Sequence, residues 1–240
     1  MKKSNFLSVV TPFYNEEKEI YGLLNDISNY EKKSNLIKEY ILINDASKDK
    51  SLFIVKKFFK NSDRNLKKKI KIITNKSNMG WANSVKKGYK LSKGNYVMFL
   101  PGDGEIKLTN FLNKISFVRD VIVVQRGEMP GRPLGRIIIS YLFRFIVSLI
   151  FNIKLFDYNT IIILNQKVVK KFKIKSNSYF INAEIIVKSF FFKFSFDYSK
   201  KLKLFPKKDY KSTSLTFNSF LKVSKDFLET FNFVYFRNKN

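Results

Sequence analysis

The stretch YVMFLPGDGE, residues 96–105, decides how the chain is read. An apolar run stops at Leu100; a proline, two glycines and two carboxylates, Asp103 and Glu105, follow. Similar runs recur at LSVVT (7–11), YILI (40–43), IKIIT (70–74) and VIVV (121–124). Between the first four strands lie segments of helical length and pattern, roughly 17–29, 51–60 and 80–91. Strands alternating with helices build βαβ units and a mainly parallel sheet. Runs that are apolar throughout suit strands covered on both faces. The expected fold class is therefore α/β, a central sheet flanked by helices.

Each of the four strands is followed by a polar, turn-forming segment: PFYNEE (12–17), NDASKDKS (44–51), NKSNMG (75–80) and PGDGE (101–105). Open α/β sheets bind ligands at the carboxyl ends of their strands. Four such loops in step with four strands place a candidate site on that edge.

Composition narrows the chemistry. The chain has 240 residues, enough for one domain, or one domain with an extension, around a sizeable core. It has no cysteine and no histidine, which excludes disulfides, thiolate and imidazole metal sites and Ser-His triads. Chemistry falls to carboxylates, Arg, Lys, hydroxyls and backbone. The start, MKKSNFLSVVTPFYNEEKE, has only a brief apolar run before Pro12, Glu16 and Glu17, and reads as cytoplasmic rather than as a signal peptide. The formal charge of +27 fits either a lysine-rich solvated surface or a polyanionic partner: anionic lipid, nucleic acid or a phosphate-bearing ligand.

At these loops the chain resembles the family 2 glycosyltransferases, which have the GT-A fold, and within them the dolichol-phosphate mannose synthase and polyprenyl-phosphate branch. The resemblance is carried by VVTPFYNEE, by ILINDASKDKS, and by NMGWANSVKKGYKLSKGNYVMFLPGD, and extends from about Leu7 to about Leu215. Asn44 stands where the family has the first Asp of its second motif, and Asp45, the base-contacting position, is kept. Pro101 stands at the first position of the acidic D-x-D, Asp103 at the second, and Glu105 where the branch has a metal-binding Gln. The resemblance implies a nucleotide-sugar pocket of Pro12, Tyr14, Glu16, Asp45, Asn78, Gly80 and Asp103. It implies Mg²⁺ or Mn²⁺ at Asp103 and Glu105, a hard cation needing oxygen ligands. On the bare residues, a plain acidic turn between strand and helix is the alternative.

The stretch QRGEMPGRPLGRIIISYLFR resembles the branch's acceptor-phosphate element, which implies phosphate binding by Arg126, Arg132, Arg136 and Ser140, with Arg126 and Arg136 also counted as catalytic. Arginine's planar fork of donors suits a phosphate; ordinary surface arginines are the alternative. Asp157 and Asn159 match the branch's D-x-N strand, and Glu184 its site glutamate near acceptor or sugar; pairing with an arginine is Glu184's structural alternative.

Ser140, Arg144, Ser148 and Asn152 fall every fourth residue through the apolar 137–153, making one polar stripe on a helix. That suits an interfacial helix with the stripe toward the phosphate site and apolar flanks toward core and bilayer, or a core helix with one polar seam. After Ser214 the spacing of Phe217, Phe220, Leu221, Phe227, Leu228, Phe231 and Tyr235 is that of an amphipathic helix. The expected organisation is a glycosyltransferase domain over 1–215 and an amphipathic tail over 216–240.

The implied activity is inverting transfer of a sugar from a nucleoside-diphosphate-sugar to a polyprenyl phosphate by a protein peripheral on the inner face of the cytoplasmic membrane. No nucleic-acid partner is expected, since no recognised module is present. The alternatives are transfer to a hydroxyl of a surface glycan, with Glu184 as base, and a degenerate non-catalytic relative or basic binding protein.

Overall fold

The computed structural model describes residues 6–104, 106–126, 134–153, 158, 160–202 and 216–236. Seven strands form one sheet: β1 (Leu7–Phe13), β2 (Ile37–Asn44), β3 (Ile70–Thr74), β4 (Tyr96–Phe99), β5 (Val121–Arg126), β6 (Ile161–Asn165) and β7 (Phe196–Leu202), in the order β3-β2-β1-β4-β6-β5-β7. β1, β2, β3 and β4 pair in parallel. β6 runs antiparallel to both β4 and β5, and β7 is parallel to β5. Every strand except β6 therefore ends at the same edge. The mainly parallel α/β sheet flanked by helices is the one expected.

Helices α1 (Ile20–Glu31), α2 (Ser51–Asn61), α3 (Arg64–Lys69), α4 (Trp81–Leu91) and α5 (Leu108–Phe111) join or follow the first four strands. Every residue of β1 and of β4 is buried. α4 turns Ala82, Ser84, Val85, Gly88 and Tyr89 inward. A Cβ at Gly88 would lie 2.1 Å from Val10 Cγ1, so this helix packs against β1 only because that position has no side chain.

The second half adds α6 (Leu134–Phe151), α7 (Gln166–Lys171), α8 (Ile181–Phe191) and α9 (Phe217–Phe236). α9 packs its Phe227 against Phe180 and Phe151, and buries Asp226 and Thr230. The tail helix closes the core on that side.

Two differences from the sequence reading have plain causes. α1 starts at Ile20 rather than near residue 17 because Glu16 and Glu17 are held in the loop: Glu17 N–H donates to Asp49 Oδ2 (3.0 Å), and the Glu17 carboxylate accepts from Lys50 N–H (3.0 Å). β7, FDYSKKL, carries too many polar residues to announce itself as a covered strand; it lies at the end of the sheet, where one edge needs no partner.

Candidate active site

The site is built from the four loops after β1 to β4, and each contains a residue with left-handed backbone: Asn15 (φ 54°), Ala46 (φ 62°), Gly80 (φ 82°) and Gly104 (φ 71°). Such conformations are costly for non-glycine residues and persist where surrounding bonds fix them. Here those bonds are visible. Asn15 N–H donates to Ser47 Oγ (3.1 Å), and Asn15 Oδ1 accepts from Lys48 N–H (2.8 Å). Glu16 N–H donates to Ser51 Oγ (2.7 Å). The loops after β1 and β2 are laced into one rim.

Asn44 is buried, and its Oδ1 accepts from Ser47 N–H (3.0 Å). An amide oxygen serves this turn as a carboxylate would, so the replacement of Asp by Asn removes a charge but keeps the loop's geometry.

Asp45 is 3% exposed and sits at the centre of a second network. Its Oδ1 accepts from Asn75 Nδ2 (2.7 Å) and from Met79 N–H (2.9 Å). Asn75 also donates to Ser84 Oγ (2.9 Å) and accepts from Lys87 Nζ (2.6 Å). Asn78 caps the backbone of Gly80 (3.0 Å), the residue before α4. The β2 and β3 loops and the start of α4 thus hold one another in place.

The acidic turn is pinned at both ends. Leu100 N–H donates to the Val10 carbonyl (2.8 Å), while beyond the turn Leu108 N–H and Thr109 Oγ1 donate to the buried Asp26 carboxylate (both 2.6 Å). Within it, a Cβ at Gly102 would lie 2.9 Å from the Pro12 carbonyl oxygen and 2.9 Å from Phe13 Cβ. Asp103 is half-buried on this turn.

Pro12, at the end of β1, and Tyr14, Glu16, Asp45, Asn78, Gly80 and Asp103, on the following loops, therefore all lie at one sheet edge. Pro12 is buried, Tyr14 is 39% exposed and Asn78 is exposed. Arg126 is the last residue of β5 and so ends at the same edge. Ser140 is half-buried on α6, which also carries Arg136. Glu105, Arg132, Asp157 and Asn159 lie outside the described residues. Among the described residues no group of three or more His, Cys, Asp or Glu side chains stands ready to hold a metal. The donor set that is described, Asp103 on a turn held by glycines, fits a hard cation that draws further oxygens from a ligand.

Glu184 lies on α8. It is 1% exposed. Its carboxylate accepts from Lys175 N–H (2.9 Å) and Ser176 N–H (2.8 Å) and is ion-paired with Lys188, itself 1% exposed. The partner is a lysine rather than an arginine, and the carboxylate is turned to the backbone of residues 175–176.

α6 presents an exposed apolar face. Its polar residues Ser140, Arg144 and Ser148 are half-buried, whereas Leu134 (77% exposed), Ile138, Leu142, Phe145 and Leu149 (70%) stand in solvent. Val147 and Phe151 are buried as on an ordinary surface helix, so the exposed residues form a second apolar face where polar ones are usual. Among the described residues no helix is long and apolar enough to cross a membrane.

Sequence reasoning missed Asn75, Asp26, Asp49, Ser47 and Ser51, the residues that shape the loops. Asp and Ser in NDASKDKS signal a turn; nothing local signals that Asn75 reaches Asp45.

Comparison with known proteins agrees with the geometry. The model described as Glycosyl transferase family 2 matches residues 8–173. The chain is 32% identical over 113 residues to a dolichyl-phosphate beta-glucosyltransferase of Trichomonas vaginalis, covering 45% of this chain and 33% of that protein. It is 35% identical over 103 residues to a cholesterol galactosyltransferase of Borreliella burgdorferi, covering 43% and 26%. The matches thus span about a third or less of these curated relatives' lengths. Among solved structures, glucosyl-3-phosphoglycerate synthase from Mycobacterium tuberculosis with Mn²⁺, UDP-glucose and phosphoglyceric acid superposes with a TM-score of 0.69 at 12% identity, covering 95% of this chain and 80% of that one. S. aureus TarS 1–349 with UDP-GlcNAc gives 0.66 at 19% identity, covering 94% and 65%.

Proposed function

This chain belongs to glycosyl transferase family 2, and we propose from that membership that it transfers a sugar, with inversion, from a nucleoside-diphosphate-sugar to a polyprenyl phosphate at a membrane surface. The observation that carries the reading is the convergence of the Asp45 network and the Asp103 turn on one sheet edge, beneath loops held in left-handed conformations. Tyr14, Glu16, Asn78 and Gly80 line the nucleotide end. Relatives named for dolichyl-phosphate glucosyl transfer support the acceptor class.

The reaction makes modest demands on this chain. A lipid phosphate is already anionic at neutral pH, so its oxygen attacks the anomeric carbon without a base to deprotonate it. The bond from that carbon to the diphosphate breaks, and the nucleoside diphosphate departs with the electron pair. Asp103, with Glu105 as a second oxygen donor, would hold Mg²⁺ or Mn²⁺. Such a cation supplies positive charge against the departing diphosphate. Arg126, Arg132, Arg136 and Ser140 hold the acceptor phosphate, where charged donors are strongest. The exposed apolar face of α6 rests on the bilayer, bringing the acceptor's headgroup to the crevice, and the basic surface favours the anionic inner leaflet.

One observation favours a second reading, transfer to a lipid hydroxyl: the relative named cholesterol galactosyltransferase. That reaction needs a base, and the carboxylate expected to serve, Glu184, is engaged by Lys175, Ser176 and Lys188. An acceptor screen separates them. Labelled UDP-glucose and GDP-mannose are offered with Mn²⁺ to vesicles carrying undecaprenyl phosphate, dolichyl phosphate or cholesterol. Product on a lipid phosphate supports the first reading; product on cholesterol alone overturns it.

A further inference from the structure

Trp81 is the only tryptophan in the chain and opens α4. Its ring meets Phe99 edge-on (centroids 5.1 Å, 79°) and stacks on Tyr179 (5.9 Å, 24°). Phe99 ends β4, just before the Asp103 turn. Met79, two residues before Trp81, donates its N–H to Asp45. Trp81 therefore stands between the two halves of the proposed donor site.

Tyr179 comes from the other half of the molecule, just ahead of α8. One face of its ring lies on Trp81, yet the residue is 48% exposed. It is also held firmly. Lys175 and Ser176 N–H bind Glu184; Asn177 and Ser178 N–H bind the buried Asp226 (3.0 and 2.9 Å); Lys86 Nζ reaches Asn177 Oδ1 (2.7 Å). Two buried carboxylates thus fix the four residues before an exposed aromatic ring. That is the construction of a preorganised contact rather than of a loose surface tyrosine.

We propose that Tyr179, backed by Trp81, is the platform on which the donor's hexose ring lies; this rests on reading the crevice as a nucleotide-sugar site. The negative face of an aromatic ring attracts the weakly positive C–H face of a pyranose. The hexose is assigned rather than the base because Asp45 and Asn78 hold the nucleotide end, whereas Tyr179 is supplied by the acceptor half, where the transferred sugar must meet its acceptor.

The experiment titrates the full chain with UDP-glucose and GDP-mannose, each against its bare nucleoside diphosphate, all with Mn²⁺. Trp81 fluorescence and calorimetry are read in parallel. For whichever nucleotide-sugar the wild type binds, Tyr179→Ala weakens that ligand about three- to tenfold. It leaves the bare diphosphate unchanged, which also shows that the variant is folded, and Tyr179→Phe restores the affinity. Equal weakening of sugar-bearing and bare nucleotides, or none in either, overturns the platform while leaving the donor site intact. A wild type that binds none of the four ligands removes the donor-site reading and the platform with it.

Discussion

Gly102 lies against Pro12 so closely that a Cβ built on it would fall 2.9 Å from the Pro12 carbonyl oxygen. The acidic turn after β4 is thereby seated on the end of β1, and the spacing of Asp103 from the first loop is set by the missing side chain. Gly102→Ala pushes the turn off that seat. The expected result is a thermal midpoint lowered by several degrees, corresponding to about 1–3 kcal/mol, together with loss of most nucleotide affinity. Differential scanning fluorimetry with and without UDP and Mn²⁺ reads both.

The buried pair Glu184–Lys188 makes a second prediction. Lys188 also lies over the Phe172 and Phe233 rings (5.8 and 4.6 Å). Lys188→Met leaves a carboxylate buried against backbone alone and is expected to cost about 3–5 kcal/mol in urea unfolding. Glu184→Gln combined with Lys188→Met recovers part of that loss. Because its carboxylate is turned to the backbone of 175–176, Glu184→Gln keeps the turnover of its folded fraction. A base would lose turnover far beyond its loss of folded protein.

How much of this was legible in the sequence follows from burial. β1, β2 and β4 are almost wholly buried, so their apolar runs mark them, whereas β3, at the opposite end of the sheet from β7, is apolar in sequence but mostly half-buried or exposed. β7 ends the sheet, and its alternation of polar and aromatic residues hides it. The loops after the four strands were readable as a ligand edge because Asn, Asp, Ser and Gly gather there. Their lacing was not: Asp45 meets Asn75 thirty residues on, and Asp26 holds Leu108 across eighty-two, pairings no local pattern encodes. α6 announced its polar stripe at every fourth residue. That the stripe is half-buried, with Val147 and Phe151 in the core but Ile138, Leu142, Phe145 and Leu149 in solvent, is a matter of packing, known only once α8 and α9 are placed.

The exposed apolar face of α6 gives the third prediction. Ile138 and Leu142 are 58% and 52% exposed, so Ile138→Glu with Leu142→Glu changes stability little. On the proposed membrane contact, the double variant sediments several-fold less with vesicles containing phosphatidylglycerol, and raising the salt weakens wild-type binding through its basic surface. Undiminished sedimentation of the variant removes α6 from the contact.

Acid sensitivity is expected from Glu39. Burial alone would raise its carboxyl, but hydrogen bonds from Lys71, the Lys93 amide and Ser8 outweigh that and hold it below its ordinary value. A group lowered in the folded state contributes stability above its unfolded pKa and loses it as pH falls through the folded value. Wild type should therefore exceed Glu39→Gln in urea midpoint at pH 7, and the gap should close as pH falls below about 4. A gap independent of pH would show that the charge of Glu39 contributes nothing.

The central claim, that the crevice edge takes a nucleoside diphosphate together with a cation held by Asp103, is tested most directly by calorimetry of the wild type and Asp103→Asn with UDP and GDP, with Mn²⁺ and in excess chelator. The account predicts that the wild type binds a diphosphate at least about tenfold more tightly with Mn²⁺ and that Asp103→Asn abolishes this gain. Binding equally strong in chelator, or a gain preserved in Asp103→Asn, would contradict it.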